Sequence, residues 1–258
     1  MVNKGILEKI VDAVSENQSQ TVFEVGPGLG HLTVLLCELY HNVVAIEKDD
    51  LLAKDLQDRL KEYDNLTVIS QDAIKISIEE LIHKSTPDYD VVGNLPFYCA
   101  TEILFNFLET EPSAQKLIFM FQREVAARLV AKAGTKEYGA LTIACDAIAD
   151  VKPLFKIKAG SFYPKPDVDA EVLCFKPKTE NDRVTPKNRV FLKKILRAAF
   201  SARRKTLKNA LKNSGMWDDV TQSKCGCLSA LEKIRPDAIK PRDYFMMAEA
   251  LAAKQRDP

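Results

Sequence analysis

The stretch Thr21-Val22-Phe23-Glu24-Val25-Gly26-Pro27-Gly28-Leu29-Gly30 decides how the rest of the 258-residue chain is read. Its first half is a short apolar run broken only by Glu24 and stopped by glycines, the pattern of a buried strand. Leu32 to Tyr40 then reads as a helix. The glycines therefore fall in a strand-to-helix turn, where backbone can approach a ligand closely and a helix N-terminus favours a polar or anionic group. The dinucleotide fingerprint G-x-G-x-x-G would need a glycine at position 31, and the chain has His31 there.

What remains is E-x-G-x-G-x-G, the pattern of S-adenosylmethionine-binding folds, with Glu24, Gly26, Gly28 and Gly30 as candidate cofactor residues. Outward from this turn, the spacing predicts a helix over Ile6 to Val14 and a strand over Asn42 to Glu47. A helix over Leu51 to Tyr63 and a strand over Leu66 to Ser70 follow. A fourth strand ends at Val91-Val92-Gly93-Asn94, preceded by the turn-like Thr86-Pro87-Asp88. A helix over Thr101 to Glu109 and a fifth strand within Ala114 to Gln122 complete an alternation typical of a parallel sheet covered by helices. Leu141 to Cys145 and Glu171 to Phe175 read as further strands around a loop rich in proline and aromatic residues. Lys176 to Asn188 reads as a linker, Val190 to Lys212 as helical, and Pro241 as the start of a last helix with Asp243 in its first turn.

Glu47 closes the second strand, 17 residues after Gly30. A carboxylate there can bridge the two ribose hydroxyls of a nucleoside. Asp72 follows the third strand, where it serves either as an acceptor for an adenine amine or as a helix N-cap. Asn94-Leu95-Pro96-Phe97 lies 64 residues after Gly30, at the strand edge where open α/β sheets bind ligands. An adenine amine is a poor nucleophile because its lone pair is delocalised. The Asn94 side-chain oxygen and the Leu95 carbonyl can accept its two hydrogens and turn the lone pair towards a methyl donor. Phe97 can stack on the base once it has left its helix or loop.

The charge is segregated. Lys and Arg number 37 against 36 Asp and Glu, a formal net charge of +1. Yet residues 176–212 hold 13 basic and 2 acidic side chains, while residues 1–175 hold 17 and 27. An acidic body with a strongly basic segment suggests a polyanion-binding surface, with Arg203, Arg204 and Lys205 beside Phe200 tilting the reading towards nucleic acid. No stretch approaches the roughly 20 apolar residues of a membrane span. Six cysteines in a chain this long do not form a disulfide scaffold. Collagen, coiled coil, disorder and small secreted modules are excluded, which leaves a soluble, intracellular globular protein. Cys225-Gly226-Cys227 lacks a second ligand pair, and His31, His41 and His83 have no ligand spacing, so no metal is expected. Trp217 reads as packing within the C-terminal part.

These motifs together resemble the small-subunit (16S-type) ribosomal RNA adenine dimethyltransferases, the KsgA type. The likeness runs through Val22 to Thr33, Val43 to Asp49, Gln71 to Ala73, Val91 to Phe105, Phe121 to Arg128, Lys136 to Gly139, Phe162 to Val168 and Phe200 to Leu207. It implies an α/β, Rossmann-like methyltransferase domain over 1–178, a linker over 179–188, and a small helical RNA-binding domain over 189–258. It implies S-adenosylmethionine as cofactor, held by Glu24, Gly26, Gly28, Gly30, Glu47, Lys48, Asp72, Ala73 and Asn94. Asn94, Leu95, Pro96 and Phe97 would form the target-base site, flanked by Phe162 and the Pro164 to Pro166 loop. Phe162, Lys165, Arg203, Arg204, Lys205 and Lys208 would contact RNA. The implied substrate is a hairpin near the 3′ end of small-subunit rRNA, two adjacent adenosines of which are dimethylated during ribosome biogenesis. The implied setting is the cytoplasm, the partner the small ribosomal subunit, and the state a monomer without membrane attachment.

Two departures carry expectations. Relatives usually have a Gly-Gln-Asn-Phe-Leu segment before the first helix, and Met1 to Leu7 begins where that segment should have ended; impaired catalysis on an intact fold is expected. Phe97 stands where many relatives have Tyr, which keeps stacking but loses a phenolic hydrogen bond. The rival readings are an erythromycin-resistance type large-subunit methylase and a non-catalytic RNA-binding assembly or transcription factor on the same fold. Phe200 to Leu207 and the helix after Pro236 favour the small-subunit type.

Overall fold

Strands β1 (Thr21–Val25), β2 (Asn42–Glu47), β3 (Leu66–Ser70), β4 (Tyr89–Gly93), β5 (Lys116–Gln122), β6 (Ala149–Ile157) and β7 (Ala170–Pro177) make one sheet, in the order β3-β2-β1-β4-β5-β7-β6. The computed structural model describes residues 4–15, 19–83, 88–95, 98–162 and 165–254. The first five strands run parallel, and β7 pairs antiparallel with β5. β1 and β4 are buried at every residue, as expected of strands covered on both faces. On one face Phe23, Tyr89, Phe107, Phe119, Phe121 and Phe175 form a chain of rings with centroids 5.3–6.5 Å apart. Burying each such side chain contributes about 1.5–3 kcal/mol. On the other face α1 (Lys4–Ser15) and α2 (His31–Cys37) pack Ile10, Val11, Val14, Leu32 and Leu36 against Val22, Val43 and Val92.

The remaining crossover helices are α3 (Asp50–Arg59), α4 (Ile78–His83) and α5 (Ala100–Leu108). Asp49 caps α3 by accepting the Leu51 and Leu52 N–H groups. Chain order reverses between β1 and β4, so a crevice opens at their carboxyl ends. Register sets Val25 beside both Ile46 and Gly93. The glycine turn, Glu47 and Asn94 thereby come to one edge.

Backbone proximity divides the chain into two units, Met1–Ala126 with Val151–Pro177, and Ala127–Asp150 with Lys178–Pro258. This differs from the expected 1–178 and 189–258. Residues 127–150 belong with the C-terminal unit because Lys178 donates from its N–H to Ile148 and from Nζ to the Asp146 carbonyl, and Val184 N–H donates to Ala147. The expected linker is correspondingly fixed, and α8 (Pro186–Ser201) already begins inside it, capped by Thr185.

One expected element is of another kind. Leu141 to Cys145 lies in a helix, α7 (Ala140–Asp146), following α6 (Arg123–Leu129), and the neighbouring strand is β6. Val190 to Lys212 is helical as expected, divided between α8 and α9 (Leu207–Asn213), with Thr206 capping the second. Helices α10 (Trp217–Gln222), α11 (Leu228–Leu231) and α12 (Pro241–Lys254) complete this unit. Its interior is built on Tyr138, Phe200 and Tyr244, with Tyr138 donating to the Ile239 carbonyl at 2.7 Å. The turn expected at Thr86-Pro87 lies outside the described residues, as do Pro96, Phe97, Tyr163 and Pro164.

Candidate active site

At the end of β1 the chain turns through Gly26 at φ 71° and reaches Gly30 at φ 76°, conformations that favour glycine. Gly26 donates its N–H to the Ile46 carbonyl, which ties the turn to β2. A Cβ on Gly26 would stand 3.6 Å from the Asn94 carbonyl, and one on Gly30 would run into Leu56 Cδ1. The loop thus lies in contact with the end of β4 and against α3.

Glu47 fastens this loop. Its Oε2 accepts the Gly28 N–H at 3.1 Å and its Oε1 accepts the Asp49 N–H at 3.0 Å. Each oxygen keeps a lone pair for another donor. A nearly buried carboxylate fixed in this way has the chemistry to receive a vicinal diol.

Glu24 lies within β1 and is 2% exposed. Its Oε2 has no hydrogen-bond partner among the described residues. Burial pushes its carboxyl up to about 7, the Thr33 hydroxyl pulling it down and the Glu47 charge raising it further. Glu24, Gly26, Gly28 and Asn94 line one cleft of about 210 Å³. Leu7 and Ile10 of α1, His31 and Met120 also line it. Sequence reasoning did not single out these four, and only His31, next to the last glycine, carries a positional signal.

Asp72 follows β3. Its Oδ1 accepts the Ile74 N–H at 3.1 Å, and its Oδ2 pairs with Lys48 Nζ at 3.0 Å. The Lys48 ammonium, then the Ile74 N–H, hold its carboxyl below the usual range. Asp72 therefore caps a turn and not the helix expected as one of its two roles, since the next helix, α4, starts at Ile78. Asn106 of α5 donates to the Ala73 carbonyl at 2.9 Å and pins the same turn. That role was missed, although a lone amide among Ile103, Leu104, Phe107 and Leu108 hints at it. A wider cleft of about 670 Å³, lined by Gln71, Asp72 and Lys75, opens beside β3.

Asn94 is exposed at the mouth of the first cleft, whereas Leu95 is 2% exposed and anchors the backbone after β4. The other half of the tetrad, Pro96 and Phe97, is outside the described residues. Phe162 is half-buried and packs on the core beneath α1 and α2, and Lys165 is exposed.

The basic segment separates into two kinds of residue. Arg203, though part-exposed, is engaged within the unit, donating to the carbonyls of Lys136 and Tyr138 at 2.5 and 2.6 Å and facing Asp237 at 3.7 Å. Lys208 pairs with Glu232 at 2.9 Å and lies 5.2 Å from the centre of the Trp217 ring. Their assignment as RNA contacts is thereby put second to a role within the unit. Arg204 and Lys205 are exposed, as are Lys187, Lys193, Lys194 and Arg197 along α8. Among the described residues no group of three metal-ligating side chains forms, and no helix is long and apolar enough to cross a membrane.

Residues 1–248 match the family described as Ribosomal RNA adenine dimethylase. A "Ribosomal RNA small subunit methyltransferase A" from Streptococcus sanguinis is 35% identical, covering 98% of this chain and 90% of that one. One of the same name from Alkaliphilus metalliredigens is 34% identical over 99% and 90%. Among solved structures, a dimethyladenosine transferase from Plasmodium falciparum superposes with a TM-score of 0.81 at 27% identity, over 96% of this chain and 95% of that one. The 23S rRNA methyltransferase ErmE reaches 0.69 at 19% identity over 96% and 98%, a likeness of fold alone.

Proposed function

The chain belongs to the ribosomal RNA adenine dimethylase family, and from that premise we propose that it dimethylates two adjacent adenosines in a hairpin near the 3′ end of small-subunit rRNA. It is an S-adenosylmethionine-dependent rRNA adenine dimethyltransferase with a Rossmann-like fold. The observation that carries the assignment of the site is the shared cleft. Asn94, from the end of β4, lines the same cavity as Glu24, Gly26 and Gly28 from β1.

The residues present fit the cofactor. Glu47, fixed by two backbone N–H groups, suits the ribose hydroxyls, and Glu24, whose Oε2 has no hydrogen-bond partner among the described residues, suits a cation. Asp72 and Ala73, with Lys48 beside them, are assigned to the adenine end. When bound, the cofactor supplies an electrophilic methyl on a sulfonium sulfur.

Asn94 and the Leu95 carbonyl accept the two hydrogens of the target amine and orient its lone pair. Leu95 keeps that carbonyl in place through its buried side chain. Phe97 stacks on the extruded base. The product ammonium loses its proton readily to water, so no general base is assigned. Rate enhancement then comes from positioning and fixed dipoles. Exposed Arg204 and Lys205, with the basic face of α8, supply phosphate contacts to the RNA. Lys165 and Phe162 are assigned to RNA near the target base. The enzyme acts as a monomer on the small ribosomal subunit in the cytoplasm.

The test is transfer of labelled methyl from S-adenosylmethionine to undermethylated ribosomal subunits. Label in two adjacent adenosines of small-subunit rRNA is expected. Label in large-subunit rRNA alone, or none while the cofactor binds, would overturn the assignment.

A further inference from the structure

The turn between α10 and α11 brings the Cys225 and Cys227 sulfurs to 2.9 Å. A disulfide spans ~2.03–2.05 Å, so the pair stands within about 0.9 Å of bonding distance. Both residues are half-exposed, while Cys37, Cys99, Cys145 and Cys174 are buried. Lys224, immediately before the pair, is the one non-glycine residue at positive φ among the described residues, at 54°. That conformation is unfavourable for a lysine and is kept only where the surrounding turn enforces it. Exposed Gly226 separates the two cysteines.

The two thiols have different settings. Cys227 contacts the Asp243 carbonyl of α12 at 3.9 Å. Burial first, and then the Cys225 sulfur, push the Cys227 thiol up to about 12. No third ligand gathers with them among the described residues, which points to dithiol chemistry rather than a metal.

We propose that Cys225-Gly226-Cys227 is a dithiol–disulfide exchange site whose substrate is a low-molecular-weight disulfide of the glutathione type. Cys225, as thiolate, attacks one sulfur of the small disulfide RSSR. The S–S bond of RSSR breaks, a Cys225–SR mixed disulfide forms, and the departing RS⁻ takes up the proton that Cys225 gave to solvent. Cys227 then loses its proton to solvent and attacks the Cys225 sulfur. The second RS⁻ leaves as RSH, and the Cys225–Cys227 disulfide closes. Two protein thiols are oxidised, one small disulfide is reduced to two thiols, and no further electron acceptor is required. A ring closed across a single residue is strained, so this disulfide should be readily reduced again.

The test uses the full chain in buffers of graded reduced-to-oxidised glutathione ratio, quenched with acid, alkylated and cut with trypsin. Cleavage after Lys224 and Lys233 places both cysteines in one peptide. That peptide should lose both alkylatable thiols together, become lighter by two hydrogens, and recover on treatment with dithiothreitol. In Cys227→Ser a glutathione adduct should accumulate on Cys225, and in Cys225→Ser little should form on Cys227 over the same time. The wild-type measurement stands without the variants. A stable glutathione adduct on the wild-type pair, or two thiols still alkylatable in fully oxidised glutathione, would overturn the proposal.

Discussion

The Glu47 carboxylate accepts the Gly28 N–H at 3.1 Å, so the acid at the end of β2 holds the glycine turn at the end of β1. The same group assigned to the cofactor's ribose is therefore part of the scaffold that shapes the loop. Its other oxygen is engaged by the Asp49 N–H. Glu47→Gln places an amide NH₂ against one of these two N–H donors. Cofactor affinity should fall by roughly 10- to 100-fold, the scale of a lost hydrogen bond to a charged group. Calorimetric titration with S-adenosylmethionine checks this, and a change under about twofold would remove Glu47 from the binding site.

Glu24 makes a prediction with a definite sign. Its carboxyl is raised from 4.5 to about 7 by burial. Between those values the folded chain holds a proton that the unfolded chain has lost. Stability of the cofactor-free protein should therefore fall as pH rises from 4.5 through 7, by up to about 3 kcal/mol from this group. Urea midpoints of wild type and Glu24→Gln should diverge over that interval, with the variant flatter. A cation in the cleft that Glu24 lines favours the carboxylate. Binding of S-adenosylmethionine below pH 7 should then release protons, measurable by calorimetry in buffers of different ionisation enthalpy. The thioether product, which lacks the sulfonium charge, should release fewer.

Asn94→Ala should separate binding from chemistry. The residue is exposed at the cleft mouth and carries none of the hydrogen bonds that fix the glycine loop. Methyl transfer should drop by about 10²- to 10³-fold, the effect of removing one preorganised polar group from a transition state. Cofactor affinity should stay within about threefold of wild type. Asn94→Asp keeps the acceptor oxygens and should retain more transfer than the alanine variant. Near-normal turnover in Asn94→Ala would refute the role given to the side chain.

The parallel half of the sheet was legible because its strands are continuous apolar runs. β1, β4 and most of β5 are buried throughout, and amphipathic helices separate them. β6 was not legible. Its sequence ADVKPLFKI carries a proline and two lysines, and most of its residues are at least partly exposed, as suits the edge strand it is. Seven-residue α7 is too short for its apolar run to be told from a strand by periodicity. In the site, Gly26, Glu47 and Asn94 could be placed from sequence because parallel register delivers strand ends to one edge. Asn106 could not, since its partner is a backbone carbonyl 33 residues away.

Arg203 and its neighbours give the last prediction, because the structure splits a basic run that sequence treats as one. Arg203 donates to carbonyls 65 and 67 residues distant, and nothing in local composition signals those partners. Arg204 and Lys205 stand exposed beside it. Arg203→Ala leaves the Tyr138 and Lys136 carbonyls without that donor and removes the charge facing Asp237. It should lower stability by about 1.5–3 kcal/mol, the worth of hydrogen bonds to a charged group. Arg204→Ala and Lys205→Ala should change stability by no more than about 0.5 kcal/mol, as surface substitutions do. Each should instead weaken binding to small subunits and flatten the dependence of log K on log salt by about one unit. Thermal melts and subunit binding at several salt concentrations read both axes. If Arg203→Ala melts like wild type and flattens the salt dependence as the other two do, the residue belongs to the RNA surface.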